Sequence, residues 1–224
     1  DYTYVAGPDT EDLIFGQQVQ DRFTYTITDG YNTPQTTTLV ITIFGGDSGV
    51  EITDLIPAVQ GGDALVDEDD LQDGSDGSDS LTQPGSFTIN ADDGVQTLTV
   101  GSLNVIAGGV YQGDGINSLT PEGHLLTITG YEPSSGVVNY TYTLNENELH
   151  AAADGENSYF ENLSVYLEDT DGDNTSDTLS IQIVDDIPDM TVSGTDTVAE
   201  DAVGTIGGTW DNASAGADGA ASTV

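Results

Sequence analysis

The stretch from Leu163 to Pro188 constrains the fold most, because it carries the periodicity of two β-strands around an acidic loop. Apolar and polar side chains alternate over residues 163–167 before the loop and over residues 179–183 after it. A period of two residues is typical of strands that bury one face. The sequence therefore predicts two strands joined by the loop from Asp169 to Asp177.

Aspartates recur at alternate positions in this loop, so their carboxylates can converge. Carboxylates that lie so close together repel one another unless a cation lies between them, and Ca²⁺ accepts about six to eight oxygen ligands in irregular geometry. We predict a calcium site here; a solvated, Asp-rich turn is the alternative. The spacing begins like an EF-hand loop, but Asn174 and Ser180 stand where Gly and Glu are needed, which excludes an EF-hand. The predicted ligands in this loop are Asp169, Asp171, Asp173 and Asp177.

The same pattern occurs earlier in the chain. Residues 23–44 align without a gap on residues 163–184, at an offset of about 140 positions that indicates tandem domains. The apolar positions recur, and Asp29 falls on Asp169, so Asp29 is also a predicted metal ligand. The other loop aspartates are replaced by Tyr and Thr. We therefore expect the two copies to share a fold but not the same metal load.

Short strand-like segments separated by turn signals, with almost no helix, predict an all-β fold built of tandem β-sandwich domains. Residues 1–46 are predicted to be the C-terminal part of a first sandwich, residues 47–187 a complete domain, and residues 188–224 the N-terminal part of a next repeat. Within the complete domain, residues 92–94 are predicted to form a hairpin turn and residues 146–153 a short helix-like stretch.

The charge of the chain limits its partners. There are 40 acidic residues against one basic residue, and the formal net charge is −39. Such a charge repels nucleic acid and anionic membranes, and no apolar run is long enough to span a bilayer, so we expect neither nucleic-acid binding nor direct membrane insertion. Two explanations of the acidity fit: structural calcium, and a solvated surface adapted to saline water. The clustering of acids in loops favours calcium.

Further acids cluster where the predicted domains meet. Residues 67–69 follow a short strand, and residues 185–186 stand just before Pro188; a solvated loop and a polar linker are the alternatives. Residues 195–201 resemble residues 63–69, which places matched acids at the next junction. The predicted junction ligands are Asp47, Asp67, Glu68, Asp69, Asp185, Asp186, Glu200 and Asp201.

Catalytic chemistry is not expected. His124 and His150 are isolated in the sequence, so neither is predicted to act in catalysis or to bind zinc. No nucleophile elbow and no phosphate-binding glycine loop occurs. With so many acids, a pair of carboxylates at glycosidase spacing would be expected by chance.

Two segments carry a family resemblance. The run from Phe23 to Gly30, followed by residues 39–43, resembles the end of a VCBS-type repeat. The run from Asp169 to Asn174, followed by residues 179–188, resembles the tandem repeats of giant calcium-dependent RTX adhesins. The resemblance implies immunoglobulin-like or cadherin-like extender domains whose junction acids bind linker calcium ions. It also implies type I secretion to the surface of a Gram-negative bacterium, associated with the outer membrane.

The expected function is that of a calcium-rigidified spacer that projects a distant binding domain for cell adhesion and biofilm formation. Its partners would be the adjacent domains of the same long chain, with a surface glycan or protein ligand elsewhere in the full protein. The alternative is that the middle domain binds a glycan or protein itself, through a surface loop at residues 108–123. Exposed sheet edges in the two part-domains would also allow neighbouring chains to complete each other.

Overall fold

A computed structural model of the chain describes residues 1–7, 10, 13, 16–46, 48–151, 155–192 and 210–219. The fold is nearly all β, as predicted. Two 3₁₀ turns lie at Ala58–Gln60 and Glu68–Asp70. The strands of the described residues are β1 (Gln18–Ile27), β2 (Gln35–Phe44), β3 (Val50–Thr53), β4 (Ala64–Asp67), β5 (Thr82–Ala91), β6 (Val95–Val100), β7 (Leu103–Ala107), β8 (Val110–Tyr111), β9 (Ile116–Leu119), β10 (Leu125–Glu132), β11 (Val137–Thr143), β12 (Ser158–Asp169), β13 (Asn174–Val184), β14 (Asp189–Val192) and β15 (Trp210–Ser214).

Strands β3 to β13 form a sandwich of two sheets. One sheet has the order β3-β5-β11-β10-β9, and the other has the order β4-β13-β12-β6-β7-β8. Neighbouring strands are antiparallel except β4 and β13, which pair in parallel with Val66 opposite Ile183. The second sheet therefore joins the first part of the domain to its last strand.

The core lies between these sheets and follows from the alternation in the sequence. Leu163, Val165 and Leu167 point inward from β12 and are at most 3% exposed, while the residues between them face outward. The opposite sheet contributes Tyr140 and Tyr142 from β11, both almost fully buried. Burial of such side chains contributes roughly 1.5–3 kcal/mol each, which makes this interface the main source of stability.

The first hairpin, β1–β2, repeats the geometry of β12–β13. Phe23 pairs with Leu39, and Leu163 pairs with Leu179, so the two hairpins have the same register at the aligned positions. Their environments differ, because Phe23 is 39% exposed whereas Leu163 is 3% exposed. In the described part of the chain, the first hairpin forms a two-stranded sheet of its own.

Three local predictions are wrong. Residues 92–94 do not form a hairpin turn, because β5 and β6 belong to different sheets and the bend carries the chain from one to the other. Residues 146–151 contain no helix; the backbone N–H of Glu148 and the ring of His150 contact Glu68 there. Residues 108–123 are not one loop, because β8 and β9 pair there with β7 and β10.

After β13 the chain leaves the sandwich through residues 185–188 and enters β14, which pairs antiparallel with β15. Within the described ranges, no helix has the length and apolar character needed to cross a membrane.

Candidate metal centres

Acidic side chains gather at two places, one near each end of β13. The loop cluster consists of Asp93, Asp169 and Asp171, and the linker cluster consists of Glu68, His150 and Asp185. In each cluster the potential ligand atoms all lie within 4.8 Å of one another. Strand β13 has eleven residues and begins beside the first cluster and ends beside the second, so roughly 35 Å separates them at about 3.3 Å per residue.

Asp169 is the centre of the loop cluster. Its Oδ1 accepts hydrogen bonds from the backbone N–H groups of Asp171, Gly172 and Asp173, at 3.3, 3.0 and 2.9 Å. The residue is only 1% exposed, and its Oδ2 has no hydrogen-bond partner among the described residues. A buried carboxylate oxygen without a donor costs free energy unless a cation contacts it.

Asp93 approaches this carboxylate from the bend between the sheets. It is 8% exposed, and its Oδ2 accepts a hydrogen bond from the backbone N–H of Ser48 at 3.0 Å. Thr170 binds the bend as well, because its hydroxyl donates to the Asp93 carbonyl and its N–H donates to the Gly94 carbonyl. The bend, the acidic loop and the segment that enters the sandwich therefore meet at this cluster.

Crowding of the carboxylates raises the pKa of Asp171. A hydrogen bond with Asp169, partial desolvation and repulsion from Asp169 and Asp93 together raise the pKa of Asp171 to about 6. A cation bound between these carboxylates would neutralise their charge and relieve the repulsion that raises this pKa.

We expect Asp171 to titrate near pH 6 in chelator when its carboxyl carbon is followed by NMR. The folded pKa lies above the unfolded value of about 3.9, so this group's contribution to stability is lost as pH rises from about 4 to 6. Asp29 is the internal reference: the backbone N–H groups of Asn32 and Tyr31 lower its pKa to about 2. Calcium should move the titration of Asp171 to lower pH and leave Asp29 unchanged. A value near 4 for Asp171 in chelator would contradict the crowding.

Glu68 is the centre of the linker cluster. It lies in the 3₁₀ turn after β4 and is fully buried, which raises its pKa. Its Oε1 accepts the backbone N–H of Glu148 at 2.6 Å and lies 3.1 Å from Nε2 of His150. Its Oε2 has no partner in the part of the chain that the structure describes. Like Asp169, Glu68 thus presents one unsatisfied oxygen in a buried position.

His150 and Asp185 complete this cluster through Asn157. Nδ1 of His150 lies 3.1 Å from Oδ1 of Asn157, and the Asn157 amide group donates to Oδ2 of Asp185 at 3.2 Å. Burial lowers the pKa of His150, but its contacts with Glu68 and Asn157 outweigh that effect and raise the pKa overall. Burial also raises the pKa of Asp185.

Asp186, the neighbour of Asp185, is satisfied by hydrogen bonds. It is 5% exposed, and its carboxylate accepts from the N–H and hydroxyl of Ser75 and from the N–H of Ala217. Asp186 therefore connects the loop that contains Ser75, between β4 and β5, to the segment after β15, and it lies outside the two clusters.

The other predicted ligands that the structure describes are not members of either cluster. Asp67 caps the 3₁₀ turn by accepting the N–H of Asp69, whose own pKa is raised to about 6 by burial and by neighbouring aspartates. Asp177 lies within β13 rather than in the loop, because pairing resumes at Asn174 opposite Glu168. Asp173 closes the loop through its backbone. Asp47, Glu200 and Asp201 lie outside the described residues.

Two cluster members were not among the predicted ligands. The sequence predicts Asp93 as a turn residue, although the pair of aspartates at positions 92 and 93 is also compatible with metal binding. His150 is isolated in the sequence, and nothing in the sequence places it beside Glu68 and Asp185, because both contacts are tertiary.

Comparison with known proteins adds no assignment. No family model matches the chain, and a search of curated proteins finds no significant match.

Proposed function

We propose that this chain is a structural rather than enzymatic module: a calcium-rigidified spacer of a long surface adhesin. One observation carries the proposal. The sandwich has a buried carboxylate with an unsatisfied oxygen near each end, at Asp169 and at Glu68, beside the segments by which the chain enters and leaves. Ions bound there would stiffen the junctions between successive domains.

The loop cluster suits calcium because all of its ligands are oxygens. Calcium–oxygen distances are about 2.3–2.6 Å, so two oxygens on one ion are separated by at most about 5 Å, which agrees with the spacing of the loop cluster. Oδ2 of Asp169 would be the central ligand, with one oxygen each from Asp93 and Asp171. Water and carbonyl oxygens would complete the coordination.

An ion in this cluster would act on the junction as well as on the loop. Asp93 already holds the N–H of Ser48, which lies between the first hairpin and the sandwich. Binding a cation would fix the Asp93 carboxylate and so restrict the segment that precedes β3. This coupling supports the spacer role.

The charge of the chain gives calcium a second role in this proposal. At low calcium, repulsion among acids with a net charge of −39 would keep the chain loosely folded, which suits export. Outside the cell, calcium binding would become folding free energy. The proposed location is therefore secreted and bacterial surface-associated, with adjacent domains of the same chain as partners.

Small-angle X-ray scattering tests the spacer role. In calcium, we expect a larger maximum dimension and loss of the scattering signature of flexible linkers, and excess EGTA should reverse both. Mg²⁺ should be a poor substitute because it requires near-octahedral geometry and keeps several waters. The variant Asp171→Asn, altered at an exposed cluster residue, should respond less to calcium. Identical scattering in calcium and EGTA would overturn the proposal.

A further inference from the structure

We propose that the linker cluster is a site for a divalent transition metal of the zinc class, bound by Glu68, His150 and Asp185. This inference rests on the proposed function only in assuming that a metal stiffens the junction. It changes the identity of the ion at one of the two ends. The loop cluster near Asp169 is an oxygen-only site for calcium, whereas the linker cluster near His150 is a mixed nitrogen–oxygen site for a zinc-class ion.

The hydrogen bonds of Asn157 fix the tautomer of His150. The Asn157 amide nitrogen donates to the carbonyls of Ala151 and Gly155 and to Asp185, which leaves its Oδ1 as an acceptor. Nδ1 of His150 must then carry the hydrogen that contacts this oxygen. In the neutral ring, the lone pair of Nε2 then faces Oε1 of Glu68 at 3.1 Å.

A lone pair that faces a carboxylate is repulsive unless a proton or a metal lies between them. His124, in the same domain, has the opposite tautomer. Its Nδ1 accepts the N–H of Asn145, so its Nε2 carries the hydrogen and faces Oε1 of Glu148 at 2.8 Å. His150 has the reverse tautomer, with its N–H on the side away from the carboxylate. Metal-bound histidines in proteins have this arrangement, donating the outer N–H to an oxygen.

The unpartnered oxygen of Glu68 points to a metal rather than a proton. Protonation of His150 would satisfy the contact with Oε1, but it would leave Oε2 of a fully buried carboxylate without a partner. It would also leave two carboxylates against one positive charge. A divalent ion bound by neutral His150, Glu68 and Asp185 balances the charge and engages both buried residues.

The donor set selects the class of ion. Calcium prefers an all-oxygen shell, whereas imidazole suits Zn²⁺ and its first-row neighbours. One imidazole and two carboxylates supply three protein ligands, the number found in open zinc sites that hold water in the fourth position. The side chain of His150 is 3% exposed, so its Nε2 is shielded from solvent at this site.

Cobalt(II) is the probe for this site, because its visible absorption reports nitrogen and oxygen ligands. We expect the metal-stripped chain to bind one equivalent of Co²⁺ with a structured visible band that Zn²⁺ abolishes and excess calcium does not. His150→Gln should weaken Co²⁺ binding at least about tenfold, the lower limit for loss of even an outer-shell partner. Asp171→Asn, in the other cluster, is the matched control and should bind Co²⁺ as the unaltered chain does.

A measurement on the unaltered chain covers the case in which His150→Gln fails to fold. Zn²⁺ should shift the Nε2 resonance of His150 in ¹⁵N NMR and leave that of His124 in place. Displacement of Co²⁺ by calcium, a band that survives in His150→Gln, or an unshifted His150 resonance would each overturn the proposal. If calcium leaves the scattering unchanged while Co²⁺ binds through His150, the spacer role fails and the zinc-class site stands.

Discussion

Calcium added to the metal-stripped protein should raise its melting temperature by about 5–10 °C for a site held at about 100 times its Kd. Saturation to that degree contributes roughly 2.7 kcal/mol, and each kcal/mol shifts the midpoint of a chain of this size by about 2–4 °C. The physical origin is the replacement of repulsion among Asp93, Asp169 and Asp171 by attraction to a shared cation. Thermal unfolding followed by circular dichroism, in EGTA and in calcium, gives the shift.

The variant Asp169→Asn separates calcium binding from the structure of the loop. An asparagine Oδ1 can still accept the three backbone N–H groups that shape the turn, but the charged, unpartnered Oδ2 is lost. In EGTA we expect the variant to be at least as stable as the unaltered chain, because one of the repelling charges is gone. In calcium the order should reverse. Equal calcium shifts in both proteins would show that this cluster does not bind the ion.

Ile181→Ala should destabilise the sandwich by about 2–5 kcal/mol, the range for removing a large apolar side chain from a packed core. Ile181 is fully buried in β13, between β4 and β12. The midpoint and slope of urea unfolding measure the loss, and an unchanged slope would confirm that the compactness of the unfolded state is the same.

The internal repeat supplies the matched control for this substitution. Ile41 occupies the aligned position in β2 but is only half-buried, in a hairpin outside the sandwich. Ile41→Ala should therefore leave the main unfolding transition where it is. A comparable loss of stability from both substitutions would mean that the first hairpin belongs to the same cooperative unit as the sandwich.

The sequence predicts the strands of this fold because their signal is local. Alternation at Leu163, Val165 and Leu167 is read from neighbouring residues, and the same side chains fill the core. The internal repeat is also predictable from the sequence. The two hairpins have the same alternation of apolar and polar residues, and the structure gives them the same register. Strands β8 and β9 were missed because they are short and lie in a stretch with many glycines, where edge pairing rather than patterning defines them.

The clusters were only half predictable because they combine residues that are distant in the chain. Asp169 and Asp171 lie two residues apart and are predicted together, but Asp93 joins them through the pairing of β6 with β12, which puts Val95 opposite Asp169. Glu68 and Asp185 were predicted as members of a junction, but at different junctions. The parallel pairing of β4 with β13 brings these two residues to one end of the sandwich.

That parallel pairing also sets how the sandwich meets a mechanical load. The chain enters near Asp93, by the first residues of β13, and leaves just beyond the last residues of the same strand. Tension between neighbouring domains is therefore directed along β13, at right angles to the hydrogen bonds that tie it to β4 and β12. These hydrogen bonds are loaded in shear and bear the force together, so they do not break one after another.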